Sequence, residues 1–112
     1  MKIYHNPRCS KSRQTLQLIN ESGKKVEIVE YLNTPPTFDE LKSIVDQLGI
    51  SPEQLLRKNE AIFKEQFKGK SYSDDEWIQI MIDHPKLIER PIVVEGKKAV
   101  LGRPPENVLN LL

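Results

Sequence analysis

The pattern of hydrophobic and polar residues predicts a βαβ unit at the start of the chain. The apolar segment around Met1–Tyr4 predicts a strand, and Asn6-Pro7 ends it with a turn signal. Apolar residues after Cys9 recur at helical spacing, and Gly23 is a suitable C-terminal stop for that helix. Val26–Tyr31 is rich in β-branched residues and predicts a second strand. A strand, a helix and a strand in about thirty residues indicate a parallel pair.

Helical periodicity dominates the middle of the chain. Three helix starts are expected, at Thr37, Ser51-Pro52 and Ser73. Thr37 and Ser73 are each followed three residues later by glutamate, the spacing of a capping box. The Ser51-Pro52 start places proline at the first helical position, where its missing N–H costs no hydrogen bond. Gly49 and His84-Pro85 are expected to end the first and the last of these helices.

The period changes again near the C-terminus, where two strands and a short helix are predicted. Ile92–Val94 and Ala99–Leu101 are apolar runs joined across Glu95-Gly96, which indicates an antiparallel hairpin. Pro104-Pro105 then opens a last short helix. The order β-α-β, helices, β-β-α therefore predicts an α/β fold with a mixed four-stranded sheet.

Length and charge limit the possible classes of protein. With 112 residues, we expect a single domain over residues 1–112, with a helical insertion over about 37–89. The 17 basic and 16 acidic residues leave a formal charge of +1, so nothing attracts nucleic acid or a membrane surface. No stretch approaches the ~20 apolar residues of a membrane span, and the N-terminus lacks a signal-peptide apolar region. A cytoplasmic protein is expected.

The chain has one cysteine, Cys9, and its surroundings favour a reactive thiol. One cysteine and two histidines exclude an internal disulfide and make a metal or cluster site improbable, so no bound cofactor is expected. Cys9 precedes a helix start, where unpaired N–H groups favour a thiolate. Arg8, Lys11 and Arg13 add positive charge within four residues, and His5 lies four residues before. A lone cysteine is often a buried apolar residue, but such a residue normally stands in an apolar run.

The residues after Cys9 separate the possible thiol chemistries. A dithiol site needs cysteine at position 12, which is Ser12, and a tyrosine-phosphatase-like anion loop needs arginine at position 15, which is Thr15. Cys9 is therefore a monothiol site. Any disulfide that it forms must be with another molecule.

Three arginines lie far from Cys9 in the sequence: Arg57, Arg90 and Arg103. Arginine binds oxyanions with two parallel hydrogen bonds, which lysine cannot do. Arg90 and Arg103 each precede a proline, which favours extended backbone at a strand or loop end. Taken singly, each arginine could instead form a surface ion pair.

The segment His5–Arg13 resembles the catalytic loop of the glutaredoxin-coupled arsenate reductases. The likeness continues through Tyr31–Pro36, Leu55–Asn59, His84-Pro85, Arg90–Val94 and Gly102–Pro104. The resemblance implies a thioredoxin-like fold with a helical insertion, in which Cys9 is the nucleophile. It also implies that the substrate oxyanion is bound by Arg57, Arg90 and Arg103.

The resemblance also implies supporting roles for His5, Ser12 and Pro91, and the positive charge around Cys9 adds Arg8 and Arg13 to the supporting residues. Pro91 matches the cis-proline that faces the active site in thioredoxin-like folds. Arg8 and Lys11 differ from the best-known members, which have small or polar residues there, and these two differences concern the substrate rather than the thiol chemistry.

The function implied is arsenate reduction to arsenite by one nucleophilic cysteine. The expected partners are arsenate, glutathione as the reducing co-substrate and glutaredoxin, with no nucleic acid or membrane, and the chain is expected to be a monomer. Two alternatives stay open. One is a glutathione-dependent thiol oxidoreductase in which Arg8 and Lys11 bind another anion. The other is a redox-linked transcription regulator that binds RNA polymerase, although such regulators commonly carry a Cys-x-x-Cys switch that Ser12 rules out here.

Overall fold

The computed structural model describes residues 1–112, which form two compact units. The first unit contains residues 1–34 and 90–112, and the second contains residues 35–89. The expected helical insertion, over about 37–89, falls inside the second unit. The strands are β1 Lys2–Tyr4, β2 Glu27–Val29, β3 Ile92–Glu95 and β4 Lys98–Leu101. The α-helices are α1 Ser10–Glu21, α2 Phe38–Leu48, α3 Ala61–Gln66 and α4 Asp74–Asp83.

The first unit is built on the mixed four-stranded sheet that the sequence predicts. The strand order is β2-β1-β3-β4, with β1 parallel to β2 and antiparallel to β3, and β3 and β4 form the antiparallel hairpin. Helix α1 connects β1 to β2 and packs against a C-terminal 3-10 helix, Pro105–Leu111. The core beneath them consists of Ile3, Ile19, Val93, Val108 and Leu111. This is a thioredoxin-like arrangement, as the resemblance implies.

Strand β2 is shorter than the sequence predicts. The expected strand Val26–Tyr31 is reduced to three residues, and Ile28 in its middle is 50% exposed. The N–H groups of Asn33 and Thr34 both donate to the Glu30 carbonyl at 3.0 Å, so a turn begins at Glu30 and ends the strand. Because β2 is an edge strand with one neighbour, no second partner holds the following residues in the sheet.

The helices of the second unit confirm both capping boxes. Thr37 Oγ1 accepts from the Glu40 N–H and Ser73 Oγ accepts from the Glu76 N–H, each at 3.2 Å. Helix α2 then ends at Gly49, which adopts the left-handed conformation that favours glycine. These helix starts depend on groups within one turn, which explains why local sequence predicts them.

The helix start expected at Ser51-Pro52 is present, with Ser51 at the N-cap, but the helix is only four residues long. Pro52–Leu55 makes only a short 3-10 turn, because Leu56 is extended and pairs with Ile88 in an antiparallel bridge. A second short turn, Pro85–Leu87, follows the end of α4 at His84. Trp77 is buried within an aromatic cluster that also contains Phe63 and Phe67. None of the helices is long and apolar enough to cross a membrane.

Candidate active site

Cys9 lies at the point where the loop after β1 becomes helix α1. Its backbone is extended (φ −95°, ψ 122°), and its carbonyl accepts the first helical hydrogen bond, from the Arg13 N–H at 3.0 Å. The Cys9 N–H is tied back to the Asn6 carbonyl, also at 3.0 Å. The residue is buried, with 8% of its surface exposed. The thiol therefore lies at a helix N-terminus, where N–H groups without intrahelical partners favour negative charge.

The surroundings of the Cys9 sulfur lower its pKa. Burial is the largest influence and acts in the opposite direction, because it disfavours the thiolate. It is outweighed by the Ser12 N–H, by a hydrogen bond and positive charge from the Arg90 guanidinium, and by the Lys11 N–H. Lys11 thus acts through its backbone rather than its side-chain charge. The guanidinium on the sulfur belongs to Arg90, eighty-one positions later by residue number, and not to the neighbouring Arg8 or Arg13.

The Cys9 loop is held by a buried polar network centred on Ser12. Ser12 Oγ accepts from the Asn6 N–H at 3.1 Å and lies 2.6 Å from His5 Nδ1. A neutral His5 ring with its proton on Nε2 is consistent with both contacts, since the Ser12 hydroxyl can then donate to His5 Nδ1 while it accepts from the Asn6 N–H. Burial is the main reason that the pKa of His5 is lowered; the charge of Glu30 opposes it, and that of Arg13 adds to it. His5 and Ser12 therefore hold the Cys9 loop in place through buried hydrogen bonds.

Two further contacts tie the loop residues that precede Cys9. Arg13 Nη1 donates to the Pro7 carbonyl at 2.9 Å, and the Arg8 N–H donates to Asn6 Oδ1 at 3.0 Å. Arg13, predicted as a supporting residue, is thus a clamp across the loop. The Arg8 side chain takes no part in this network and is exposed.

Arg90 and Arg103 lie at neighbouring ends of β3 and β4. The Arg90–Pro91 peptide is cis, as implied for Pro91, and the Arg103–Pro104 peptide is cis as well, which the sequence did not predict. Arg103 Nη1 donates to the Arg90 carbonyl at 3.2 Å. Within the first unit, the structure therefore places the Arg90 guanidinium at the Cys9 sulfur and Arg103 on the Arg90 carbonyl.

Thr15 and Gly102 join the helix of Cys9 to the arginine-bearing strand ends. Thr15 is fully buried, and its hydroxyl contacts the Lys11 carbonyl at 2.8 Å and the Gly102 carbonyl at 3.4 Å. The Gly102 N–H donates to the Pro91 carbonyl at 2.9 Å. A Cβ on Gly102 would collide with Thr15 Oγ1 and come within 2.7 Å of Pro91 Cγ. The sequence does not indicate this role for Gly102, because only the tertiary contact shows why position 102 has no side chain.

Arg57 belongs to the second unit, where two carboxylates engage it. Its Nη1 donates to Glu89 Oε1 at 2.7 Å, its Nε donates to Glu60 Oε1 at 3.3 Å, and its side chain is 20% exposed. Burial tends to lower the pKa of Arg57, but Glu89 and then Glu60 raise it. The expectation that Arg57 binds an oxyanion stays a prediction. An ion pair, the alternative for each arginine, is present here.

No group of three or more His, Cys, Asp or Glu side chains is arranged to hold a metal ion. The candidate site itself consists of a thiol with a lowered pKa, the Arg90 guanidinium at its sulfur, and Arg103 hydrogen-bonded to the Arg90 carbonyl.

Comparisons with known proteins place the chain in a family. The ArsC family model matches residues 4–111. The uncharacterized protein YfgD of Escherichia coli (strain K12) is 49% identical over 114 residues, which cover 100% of this chain and 96% of that protein. The arsenate reductase of the same organism is 47% identical over 111 residues, covering 98% of this chain and 79% of that protein.

A solved structure agrees with these sequence relatives. The arsenate reductase from Vibrio cholerae superposes on this chain with a TM-score of 0.93 at 47% identity, covering 100% of this chain and 98% of that one. The family match spans nearly the whole chain, and the relatives agree in both sequence and fold. The chain belongs to the ArsC family.

Proposed function

We propose that this protein reduces arsenate to arsenite, with Cys9 as the nucleophile and an external thiol as the reductant. The observation that carries the proposal is the convergence on one sulfur of two backbone N–H groups and the Arg90 guanidinium. The same groups that favour a thiolate can bind the oxygens of a tetrahedral anion. Relatives at 47% identity that are named arsenate reductases support this choice of anion.

The first step overcomes repulsion between two anions. Arsenate is largely a dianion near neutral pH, so its approach to the Cys9 thiolate is unfavourable without positive charge nearby. Arg90 and Arg103 supply that charge from the strand ends, and the N–H groups at the start of α1 add partial positive charge. The thiolate attacks arsenic, a sulfur–arsenic bond forms, and one arsenate oxygen leaves as water after protonation. Arsenic is still pentavalent in this adduct.

The reduction itself needs two electrons from thiols outside the chain. The chain has one cysteine, so an external thiolate must attack the Cys9 sulfur. A disulfide between Cys9 and that thiol forms, and the electron pair of the sulfur–arsenic bond stays on arsenic, which leaves as arsenite. A second external thiol then releases Cys9. In sum, arsenate and two thiols give arsenite, one disulfide and water.

We assign the external thiol to glutathione, with glutaredoxin clearing the disulfide on Cys9, as the family resemblance implies. Arg57 is assigned to the oxyanion as a third arginine on the family resemblance alone. Because a lone nucleophilic thiol must stay reduced between turnovers, we propose that the protein works in the reducing cytoplasm.

The test is a coupled assay that follows arsenate-dependent oxidation of NADPH with glutathione, glutathione reductase and glutaredoxin. We expect activity only when arsenate, glutathione and the protein are all present. Cys9→Ser should abolish it, because the hydroxyl of serine is not ionised at neutral pH. Complete reduction of arsenate by the purified protein without added thiol would contradict the scheme.

Intact mass separates this function from a thiol oxidoreductase with another substrate. After incubation with glutathione, the proposal requires that a glutathione adduct on Cys9 form only when arsenate is present as well. Cys9→Ser is the matched control and should stay unmodified. An adduct of equal yield without arsenate would favour the thiol oxidoreductase instead.

A further inference from the structure

An open groove of about 360 Å³ lies beside the Cys9 loop in the first unit. One wall is the loop segment His5–Arg8, and the other wall consists of Glu30, Leu32 and Asn33 from the turn after β2. Its volume is within the range of small-molecule sites, about 300–1,000 Å³. We call it the Arg8–Glu30 groove. None of the groups that contact the Cys9 sulfur lines it.

The groove presents unused groups of opposite charge. The Arg8 guanidinium and the Glu30 carboxylate both line it, and neither forms a salt bridge or a side-chain hydrogen bond. Asn6 is 92% buried; its Oδ1 accepts from the Arg8 N–H, while its amide nitrogen has no acceptor. Leu32 adds an apolar surface that is 39% exposed. A ligand that fits carries a carboxylate, an ammonium group and a peptide carbonyl.

We propose that the Arg8–Glu30 groove binds the reducing co-substrate, a small zwitterionic peptide thiol, with a carboxylate on Arg8 and the ammonium group on Glu30. The inference rests on the proposed function for its need of an external thiol. The Asn6 amide nitrogen then donates to a peptide carbonyl of the ligand. The oxyanion, in contrast, is assigned to the N–H groups and the Arg90 guanidinium that contact the Cys9 sulfur.

The position of Arg8 explains how such a ligand meets the nucleophile. Arg8 directly precedes Cys9, and their Cα atoms are about 3.8 Å apart across a trans peptide. A peptide thiol anchored on Arg8 is therefore concentrated next to Cys9 without occupying the oxyanion site. The loop that carries the anchor is held by Ser12 and by the Arg13 clamp on Pro7, so the backbone from which the Arg8 side chain extends is fixed relative to the nucleophile.

Binding is measured first without chemistry. S-methylglutathione keeps the carboxylates and the ammonium group but has no thiol, so titrating it into the ¹⁵N-labelled protein reports affinity alone. We expect chemical shift changes at Asn6, Arg8, Glu30 and Asn33. Arg8→Glu should weaken binding by about tenfold or more, and Glu30→Gln by about threefold. The matched control is Lys25→Glu, an exposed lysine in the same unit that does not line the groove, which should bind like wild type.

Steady-state kinetics provide the second arm. Arg8→Glu should raise the KM for glutathione by about tenfold and should raise the KM for arsenate by less, because the groups that contact the Cys9 sulfur are unchanged. Unchanged KM for glutathione together with unchanged S-methylglutathione binding in Arg8→Glu overturns the groove but leaves arsenate reduction standing. Arg8-dependent binding in a protein that fails to reduce arsenate supports the groove and overturns the proposed function. Shifts confined to the Arg90 and Arg103 strand ends would place the peptide elsewhere and refute the inference.

Discussion

Arg90 and Arg57 occupy two contrasting regions, although the sequence presents them on equal terms as oxyanion ligands. In the first unit, the Arg90 guanidinium reaches the Cys9 sulfur, where it helps to lower the pKa of the thiol. In the second unit, the Arg57 guanidinium is bound by Glu89 and Glu60. The difference shows that an arginine's partner, and not its place in a motif, decides whether its charge lowers the pKa of the nucleophile before substrate binds.

Removing the Arg90 guanidinium should have the largest effect on activity, because it is the arginine that contacts the Cys9 sulfur. Arg90→Met should lower kcat/KM for arsenate by roughly a hundredfold, since it removes a positive partner of both the thiolate and the developing oxyanion charge. The pKa of Cys9 should rise, because burial then acts with less opposition. The pH dependence of Cys9 alkylation by iodoacetamide measures this. Arg90→Lys keeps the charge without the planar fork and should recover only part of both effects. An unchanged alkylation profile in Arg90→Met would refute the assignment.

Removing the Arg57 side chain should have the next largest effect on activity, and it tests directly whether Arg57 and Arg90 differ in their influence on Cys9. If Arg57 leaves its carboxylates to bind arsenate, Arg57→Ala should lower kcat/KM about tenfold without changing the pKa of Cys9. Glu89→Gln is the matched variant, because it loosens the guanidinium while keeping the shape of its partner. It should retain or increase activity. If both variants instead lower only the free energy of unfolding, measured by urea denaturation, Arg57 is structural.

The contact between Thr15 and Gly102 offers a smaller, purely geometric test of the first unit. Gly102→Ala should lower the free energy of unfolding by about 1–3 kcal/mol, because the added methyl group overlaps Thr15 and Pro91. Activity should fall severalfold, since the Arg103 strand end must shift relative to Cys9. Thr15→Ala removes two of the three colliding atoms, so the double variant should be more stable than the sum of the single changes predicts. Strict additivity would contradict the proposed collision.

The smallest expected effect is the pH dependence of stability that comes from Cys9. The pKa of Cys9 is lowered by folding, so the thiolate is favoured in the native state and the unfolded chain binds the proton more tightly. The stabilisation is complete above the ordinary thiol pKa, about 8.5, and is lost as the pH falls through the lower native value. The free energy of unfolding of the wild type minus that of Cys9→Ser, both measured by urea denaturation, should therefore increase with pH up to about 8.5. A difference that shrinks with rising pH would exclude a lowered pKa.

Much of the fold could be predicted because its signals are local. Both capping boxes, the end of α4 at His84 and the β3–β4 hairpin depend on residues within a few positions of each other. The sequence did not predict where two elements stop, because partners distant in the chain decide this. The helix that starts at Ser51-Pro52 ends after four residues, where Leu56 pairs with Ile88. Strand β2 ends early because an edge strand has one neighbour.

The candidate site likewise has features that the sequence predicts and features that only the tertiary structure reveals. The lone cysteine at a helix start, the polar loop around it and the need for an external thiol are properties of the sequence by itself, because one thiol cannot form a disulfide within the chain. Only the tertiary structure decided which cation reaches the sulfur, why position 102 is glycine, and that Arg57 pairs with Glu89. Those features depend on distances between residues that are tens of positions apart, which periodicity and spacing along the chain do not determine.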